Sequence, residues 1–384
     1  MNSSAGAAAP GLGREGESLG SAPIPGLAGQ MAKHLAGLIE SAGGWLPFDR
    51  YMAAVLYTPG LGYYARGDRQ FGTLPSSGSD FVTAPELSPL FGRALAVQVD
   101  QALDASGTHE IWEFGAGSGA LAAQLLQALD GRVRAYHVVE LSAVLRQRQQ
   151  ARLQPWAGRV HWHDALPEAL QGVVVGNEVL DAMPVQLLAF DGERWAERGV
   201  VQSPTGLAWA DRPTLLRPPA ERSVFLPGAV TEIHPQAEAF IRTLAQRLQR
   251  GAAFFIDYGF PEHEYYHPQR HAGTLMCHRA HLADTDPLAD PGAKDLTAHV
   301  NFSGIALAGQ DAGLQVLGYT SQARFLLNCG LPALMAAADA RAQAQAQPLI
   351  LEHEMGELFK VIGFAAGEAF DAVGFAAGDR SHTL

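Results

Sequence analysis

The residues best suited to chemistry in this chain surround a glycine-rich turn. Gly115, Gly117 and Gly119 occupy alternate positions between an apolar stretch at 111–114 and a second apolar stretch that begins at residue 120. A strand, a glycine turn and a helix in this order are typical of the first unit of a nucleotide-binding α/β sheet. Glycines are required because the backbone bends sharply there and approaches a ligand closely, where a Cβ would intrude.

The spacing is compatible with two classes of cofactor. A dinucleotide fold requires G-x-G-x-x-G or A, which Gly115, Gly117 and Ala120 would satisfy. The fuller pattern includes Glu113, two residues before the first glycine, and matches the first motif of S-adenosylmethionine-dependent methyltransferases, with Ala116 inside the loop. This cofactor has no pyrophosphate for a helix N-terminus to bind. It carries a cationic ammonium and sulfonium, which a carboxylate at a strand end favours. We therefore predict S-adenosyl-L-methionine as the cofactor.

Acids that end the next two predicted strands support a nucleoside cofactor. Glu140, followed by Leu141, lies about 20 residues after the last glycine, where an acid can accept hydrogen bonds from two ribose hydroxyls. This signal does not separate S-adenosylmethionine from NAD, because both contain that ribose. Asp164 ends the third predicted strand and could accept a hydrogen bond from the adenine amino group, or it could cap the next helix.

Polar residues also follow two later predicted strands. A run of three valines leads into Asn177, Glu178 and Asp181, and the apolar stretch 251–256 leads into Asp257 and Tyr258. The carboxyl ends of parallel strands meet at the edge of the sheet where ligands bind. We predict that Asn177 contacts the cofactor and that the three acids orient a nucleophilic nitrogen. Ordinary capping of the following turns is the alternative.

Further candidates lie before the glycine turn and near the C-terminal third. Thr83, Pro85 and Glu86 begin a predicted helix, either as simple caps or as a wall of the cofactor site. Tyr64, in an aromatic turn, and Tyr258 are predicted to contact the substrate. His299 is a third candidate for substrate contact, either as a proton acceptor or as a histidine satisfied in the core.

Composition excludes several classes of function. The chain has 384 residues and a formal net charge of −12, without a dense Lys/Arg run, which disfavours nucleic acid as a partner. The two cysteines form no CxxC motif, so we expect neither a disulfide framework nor a structural zinc site. The His-rich stretch 261–300 shows no convincing ligand spacing, and we expect no metal. No apolar run reaches membrane-spanning length.

The predicted fold class is α/β: a Rossmann-like core with an N-terminal helical region and a small inserted β-rich subdomain. The Gly-, Ala-, Ser- and Pro-rich N-terminus is predicted to be a disordered tail, and the short alternating runs after residue 185 predict β-hairpins. The predicted divisions are a tail at 1–28, a helical or lid region at 29–105, the cofactor-binding half of the core at 106–185, a substrate-facing insertion at 186–250 and the second half of the core at 251–384.

Six motifs in chain order resemble one family, that of the mitochondrial complex I assembly-factor arginine methyltransferase, also called mitochondrial dysfunction protein A, which has many bacterial members. The resemblance covers roughly residues 35–384, and its motifs lie at 62–64, 78–92, 113–119, 177–184, 256–259 and 295–300. It implies a seven-stranded methyltransferase core and methylation of a protein arginine, with a respiratory complex I subunit as the substrate of the mitochondrial member.

Two features of the sequence qualify this resemblance. The tail is unlike a mitochondrial presequence, so we expect a bacterial, cytoplasmic member. Asn301 stands where the family usually has an acid. Two alternatives to a methyltransferase stay open on the sequence: an NAD-type oxidoreductase, and a catalytically silent assembly chaperone that binds its partner through residues 186–230.

Overall fold

The structure is a computed structural model that describes residues 26–66, 83–279 and 282–384. Most of the predicted tail lies outside the described residues, and its last two residues, 27 and 28, already belong to the first helix. The polar, Gly- and Ser-rich stretch 65–79 predicts a loop, and most of it also lies outside the described residues. No helix in the described ranges is long and apolar enough to cross a membrane.

The helices and strands are numbered in chain order. The helices are α1 Leu27–Ser41, α2 Phe48–Tyr57, α3 Ala84–Leu87, α4 Pro89–Ser106, α5 Ala120–Ala128, α6 Ala143–Arg152, α7 Pro235–Arg247, α8 Glu262–Tyr265, α9 Phe302–Asp311, α10 Gln322–Asn328, α11 Leu331–Ala336 and α12 Ala340–Ala346. The strands are β1 Leu46–Pro47, β2 Glu110–Phe114, β3 Ala135–Val139, β4 Val160–His163, β5 Leu170–Asn177, β6 Gln186–Phe190, β7 Trp195–Ser203, β8 Gly206–Pro213, β9 Val230–Ile233, β10 Leu248–Phe260, β11 Met276–Arg279, β12 Leu282–Asp284, β13 Asp295–Thr297, β14 Val300–Asn301, β15 Gln315–Ser321 and β16 Phe359–Ala366.

The centre of the molecule is a mostly parallel sheet in the order β15-β16-β10-β5-β2-β3-β4, with the short β14 paired to the end of β10. Only β16 runs against its two neighbours in this sheet. The predicted Rossmann-like core of seven strands is therefore confirmed. The chain moves outward from β2 to β4 and then returns to place β5 and β10 on the other side of β2. A crevice forms where the order reverses, at the carboxyl ends of β2 and β5.

Apolar residues on both faces of the strands explain why this sheet is buried. Val173 and Val175 belong to a core cluster that also contains residues of α4 and α5. Val174 belongs to a second cluster that contains residues of α7 and α9. Successive strand residues point to opposite faces, so the valine run requires helices on both sides.

The β-rich insertion predicted after residue 185 is confirmed as an antiparallel sheet of β6 to β9, to which the distant β1 adds a strand. It ends earlier than predicted, because α7 packs on the central sheet through Ile241 and Leu244. The predicted region 29–105 also divides in two. Helices α1 and α2 pack with the insertion, whereas α4 packs in the core.

Two local predictions near the C-terminus differ from the structure. The sequence over 349–359 predicts a helix, but the structure has a pair of short irregular turns there, after which β16 begins at Phe359. The similar stretches that begin at Gly363 and Gly374 predict edge-strand turns. Gly363 instead lies in the interior of β16, where a Cβ would come within 2.7 Å of the Phe375 ring. A third sheet, made of β11, β12 and β13, follows α8 and was not predicted.

Candidate functional site

A cavity of about 1310 Å³ opens at the carboxyl ends of the central parallel strands. Cavities for one small ligand usually measure about 300–1,000 Å³, so this one has room for a cofactor and part of a second molecule. The N-terminal segment, the central sheet, α7 and strands β11 and β13 all contribute to its walls. The predicted site residues that line it are Tyr64, Thr83, Pro85, Glu113, Gly115, Ala116, Gly117, Glu140, Leu141, Asn177, Glu178, Asp181, Tyr258 and His299.

The glycine loop forms the floor of one end of this cavity. Gly115 and Gly117 have φ values of 61° and 52°, in the left-handed region that favours glycine. A Cβ on Gly115 would also lie 3.0 Å from a methyl group of Val179. The loop can therefore approach a ligand closely only because it carries hydrogen atoms in place of side chains.

Glu113 lies under this loop and is only 2% exposed. The hydroxyl of Tyr136 donates a hydrogen bond of 2.7 Å to its Oε2. Burial raises the pKa of Glu113 to about 8. A bound cation would offset that desolvation and favour the carboxylate, which suits the ammonium or sulfonium that the sequence predicted here.

Glu140 lies at the end of β3 in a completed hydrogen-bond network. The backbone N–H of Ser142 donates to Oε1 at 2.8 Å, and the Gln149 side-chain amide donates to Oε2 at 2.9 Å. The same amide donates to the Gly117 carbonyl at 3.0 Å, and Trp162 Nε1 donates to Gln149 Oε1 at 3.1 Å. Gln149 therefore ties the glycine loop to Glu140.

Sequence reasoning missed Gln149 because it lies in a polar, Gln-rich helix. The spacing Leu145, Gln149 and Leu153 nevertheless places it on one helix face with two buried leucines. A glutamine on a buried face needs hydrogen-bond partners. That spacing was the available signal.

Three predicted cofactor residues do not line the cavity. Glu86 forms an ion pair with Arg152 at 2.8 Å and accepts a hydrogen bond from Ser118, which holds α3 against the glycine loop. Gly119 begins α5 with a φ of 82°. Asp164 is exposed beside Ala165, which does line the cavity.

Asp257 was predicted to meet the substrate, but its side chain turns into the protein and is fully buried. Its carboxylate accepts the backbone N–H groups of Leu180 at 3.4 Å and Asp181 at 3.3 Å. Burial, and then the nearby Asp181, hold the pKa of Asp257 well above its usual range. In this structure Asp257 positions the segment after β5 and does not reach the cavity.

Glu178 projects from that segment in a strained conformation. Its φ is 56°, and such a left-handed non-glycine residue costs about 1–3 kcal/mol, which is common at functional sites. Its N–H donates to the Ile256 carbonyl at 2.8 Å, and its Oε1 accepts from the Asn177 amide at 2.9 Å. Burial, and then the nearby Asp181, raise the pKa of Glu178 to about 8.

The end of the cavity around Glu178 contains buried acceptors without a hydrogen-bond partner among the described residues. Among the described residues, Asn177 Oδ1, Asp181 Oδ1 and Thr297 Oγ1 are buried and have no hydrogen-bond partner. Asp295 lines the same end and accepts a hydrogen bond of 2.8 Å from the Tyr64 hydroxyl. Buried polar atoms are normally paired, so this end is suited to a donor-rich, cationic ligand.

Asp295 and Thr297 were not predicted as site residues. They share the cavity with His299, and the three occupy alternate positions along the chain. Alternation of this kind places side chains on one face of an extended segment. The spacing was visible in the sequence, and the prediction of substrate contact for His299, on the same face, was the available signal.

Aromatic side chains close the same end. The Tyr258 and His299 rings pack edge to face, with centroids 5.0 Å apart. His299 Nδ1 lies 3.3 Å from the Thr274 carbonyl, an arrangement that assigns the proton to Nδ1 and leaves Nε2 as an acceptor. Burial lowers the pKa of His299 to about 4, so the ring is neutral at pH 7 and only a weak base. Asn301 caps α9 by accepting from the Gly304 N–H at 3.3 Å.

No group of three or more His, Cys, Asp or Glu side chains within the described part of the chain could hold a metal ion. The arrangement instead provides two adjoining environments. One is a glycine loop flanked by a buried acid and a strand-end acid, suited to a cationic nucleoside. The other is an acidic end with buried acceptors for which the described residues provide no hydrogen bond.

Comparisons with known proteins agree with this geometry. A COG1565 superfamily member from Burkholderia thailandensis, solved with bound S-adenosyl-homocysteine, is 53% identical with a TM-score of 0.90, covering 95% of this chain and 100% of that one. The mitochondrial protein arginine methyltransferase NDUFAF7 of Danio rerio is 28% identical over 382 residues, 85% of each chain. Its homologue in Drosophila melanogaster is 29% identical over 338 residues, 78% of this chain and 74% of that one.

The family comparison decides the cofactor. A family model described as an S-adenosyl-L-methionine-dependent methyltransferase matches residues 90–320. This range includes the glycine loop, strand β13 and the segment that follows β5. The predicted cofactor is confirmed, and the dinucleotide alternative is set aside. The chain belongs to this family of S-adenosyl-L-methionine-dependent methyltransferases.

Proposed function

We propose that the protein methylates an arginine side chain of a protein substrate. The observation that carries the proposal is the set of buried acceptors without partners, Asn177 Oδ1, Asp181 Oδ1 and Thr297 Oγ1, beside the carboxylate of Glu178. A guanidinium has five N–H donors and a permanent positive charge. It would satisfy the free acceptors and offset the cost of burying the acids together. The relatives named as protein arginine methyltransferases support the same choice.

In this proposal the cofactor occupies the glycine-loop end. Glu113 faces its cationic amino acid portion, Glu140 accepts from the ribose hydroxyls, and the exposed Leu141 covers the adenine at the mouth of the cavity. Asp164, at the rim, accepts a hydrogen bond either from the adenine amino group or from solvent. The methyl group then points toward the end that contains Glu178.

Methyl transfer is an in-line displacement at a carbon that the sulfonium already activates. A guanidinium nitrogen lone pair attacks the methyl carbon, the C–S bond breaks, and its electron pair stays on sulfur to give S-adenosyl-homocysteine. The alkylated nitrogen gives up one proton to solvent water, which leaves a methylated guanidinium with its single positive charge. The protein contributes mainly by positioning the two reactants. Glu178 and Asp181 bind one edge of the guanidinium, which favours a lone pair on the opposite nitrogen.

Asp257 contributes indirectly, by holding the backbone of the segment that carries both acids. Tyr258 and His299 pack around the arginine side chain of the substrate. The resemblance to the complex I assembly-factor family makes a respiratory complex I subunit the first protein to test as the substrate.

The proposal is tested by incubating the protein with methyl-deuterated S-adenosyl-L-methionine and either a purified complex I subunit or a cell extract. Mass spectrometry then locates the label. We expect labelled arginine, and we expect Glu178→Gln to reduce labelling by at least about a hundredfold, while affinity for S-adenosyl-homocysteine stays within about twofold. Glu168→Gln, an exposed substitution outside the cavity, serves as the matched control.

Label on another residue type or on a small molecule would contradict the assignment to arginine. Tight binding of S-adenosyl-homocysteine without transfer to any protein would favour the assembly-chaperone hypothesis.

A further inference from the structure

A buried acid lies beneath the cavity wall, in the inserted sheet of β6 to β9. Glu232 of β9 is fully buried and does not line the cavity. Its Oε1 accepts the backbone N–H groups of Thr274 at 2.8 Å and Leu275 at 3.1 Å. Its Oε2 accepts the hydroxyls of Tyr265 at 3.0 Å and Thr274 at 3.2 Å. One carboxylate therefore holds the chain just before β11 with four hydrogen bonds.

The surroundings of Glu232 suit a carboxylate. Gly273 has a φ of 79°, and a Cβ there would lie 2.3 Å from Glu232 Oε1, so the glycine leaves room for the acid. Tyr265 and His234 are both buried and extend the network, with His234 Nε2 2.9 Å from the Tyr265 hydroxyl. A glutamine in place of Glu232 would turn an amide NH₂ toward groups that are already donors. The network therefore requires an acid at this position and not only a side chain of that shape.

Thr274 transmits this fixed position to His299. The His299 backbone N–H donates to Thr274 Oγ1 at 3.1 Å, and the ring Nδ1 lies 3.3 Å from the Thr274 carbonyl. The ring also stacks on Phe260, with centroids 5.3 Å apart and planes inclined by 4°. The hydrogen bond that one ring nitrogen makes determines which nitrogen carries the proton, and a carbonyl requires N–H. The protein thus holds the ring with a proton on Nδ1 and a lone pair on Nε2.

His299 lies at the substrate end of the cavity. It lines the cavity together with Glu178 and Asp181. The preceding residue, Ala298, donates its N–H to the Asp181 carbonyl at 3.0 Å, which keeps His299 beside the segment that carries these acids. Because Nδ1 is directed to the backbone of Thr274, Nε2 is the ring nitrogen available to a ligand in the cavity.

We propose that Glu232 is a positioning residue, which acts through Thr274 to present His299 Nε2 as a neutral hydrogen-bond acceptor to the substrate guanidinium. The proposal rests on the function proposed above. A guanidinium has five N–H donors and no acceptor, so the opposite tautomer of His299 would place an N–H against an N–H. A neutral imidazole also adds an acceptor without adding a further negative charge beside Glu178 and Asp181.

The first measurement is the tautomer of His299, from ¹⁵N NMR of protein labelled at its histidine ring nitrogens and saturated with S-adenosyl-homocysteine. His299→Phe, which keeps an aromatic ring, identifies the His299 signals by their loss. We expect the proton on Nδ1 in the wild-type protein. Thr274→Val removes the hydroxyl that joins Glu232 to His299, and should raise the population with a proton on Nε2 about fivefold. Thr274→Ser keeps that hydroxyl and should restore the wild-type tautomer.

The second measurement is titration of N-acetyl-arginine amide, followed through the same signals. The wild-type Nε2 resonance should shift on binding. Thr274→Val and Glu232→Gln should each weaken arginine binding about fivefold, which corresponds to the loss of one hydrogen bond. Affinity for S-adenosyl-homocysteine, measured by calorimetry, should stay within about twofold, which shows that each variant is folded. The matched control is Glu193→Gln, an exposed acid between β6 and β7, which should change neither measurement.

The outcomes separate this inference from the proposed function. A proton on Nε2 of His299 in the wild-type protein overturns the inference and leaves arginine methylation standing. The same holds if neither Thr274→Val nor Glu232→Gln changes the tautomer or the arginine affinity. If Glu232→Gln fails to fold, the contrast between Thr274→Val and Thr274→Ser decides. Tight binding of S-adenosyl-homocysteine with no binding of the arginine probe to the wild-type protein overturns the proposed function and the guanidinium contact together.

Discussion

The two ends of the cavity differ in how their polar groups are satisfied. At the cofactor end, both oxygens of Glu140 accept protein hydrogen bonds, and Gln149 uses its amide and its carbonyl oxygen. At the substrate end, Asp181 and Thr297 each carry a buried acceptor without a partner among the described residues, and Glu178 has a left-handed backbone. The first end is organised by the chain itself, whereas under the proposed function the second is completed by the substrate.

This difference has a physical consequence for mutations. A pre-formed network binds its ligand without reorganisation, so changes in it should act on cofactor affinity. A set of unsatisfied acids is unfavourable in the free protein. Substitutions in this set should therefore lower the affinity for the substrate and at the same time stabilise the ligand-free protein. The following substitutions and conditions test whether the two ends separate in this way.

The largest effect is expected from Gly117→Val. The residue has a φ of 52° and lines the cavity, so a branched side chain would be strained and would fill space that the cofactor needs. We expect affinity for S-adenosyl-homocysteine to fall at least about a hundredfold, measured by isothermal titration. Gly131→Val, at a φ of 79° with open space around the glycine, shares the backbone strain and should keep its affinity. A similar loss in both variants would show that strain alone is responsible.

The next effect is a pH dependence confined to the substrate end. Glu178, whose pKa is raised to about 8 beside Asp181 and Asp295, must be ionised to bind a cation. Below that pKa the ionised fraction falls, so kcat/KM for the protein substrate should decrease roughly fifteenfold from pH 8 to pH 6.5. A profile that stays flat over this range would show that Glu178 is ionised throughout or is not required.

A smaller effect is expected at Gln149. Gln149→Leu removes the hydrogen bonds to the Gly117 carbonyl, Glu140 and Trp162 without introducing a charge. Affinity for S-adenosyl-homocysteine should fall about tenfold, because the loop and the strand-end acid lose their common support. The neighbouring Gln150→Leu, at an exposed position of the same helix, is the control for helix propensity. Equal affinities in the two variants would argue against this positioning role.

The smallest effect concerns the stability of the free protein. The folded pKa of Glu178, about 8, lies above its ordinary value of 4.5. The folded state therefore holds the proton more tightly, and the contribution of this group to stability decreases as pH rises from about 4.5 to 8. Glu178→Gln cannot ionise, so the variant does not lose this stability at high pH. It should stabilise the ligand-free protein by ~1–2 kcal/mol at pH 8.5, and by less at pH 5. Thermal unfolding of the variant and the wild type at both pH values measures this difference in stability. An equal difference at the two pH values would contradict the argument.

The cofactor end was largely predictable from the sequence because its signals are local. Gly115, Gly117 and Glu113 lie within five residues of one another, and Glu140 follows at a distance set by one helix and one strand. Each position is determined by where a strand ends in a parallel sheet. Gln149 escaped notice because its partners lie in other segments.

The substrate end was only partly predictable. The rule that acids after strands lie at the ligand edge predicts positions for Glu178 and Asp181 that do line the cavity, but the same rule misplaced Asp257. The sequence shows that a residue lies at the end of a strand. It does not show whether the side chain turns outward or accepts backbone N–H groups beneath the next loop, as Asp257 does.

By itself, the sequence determined the parallel core, the glycine loop, the class of cofactor and the strand-end acids, because each depends on periodicity or spacing within a short stretch. Only the tertiary structure decided which groups meet across the cavity. Asp295 and Thr297 reach it through the pairing of β14 with β10, and Tyr64 reaches Asp295 from the opposite end of the sequence. Such meetings are decided by the packing of segments far apart in the chain, and no local pattern encodes that packing.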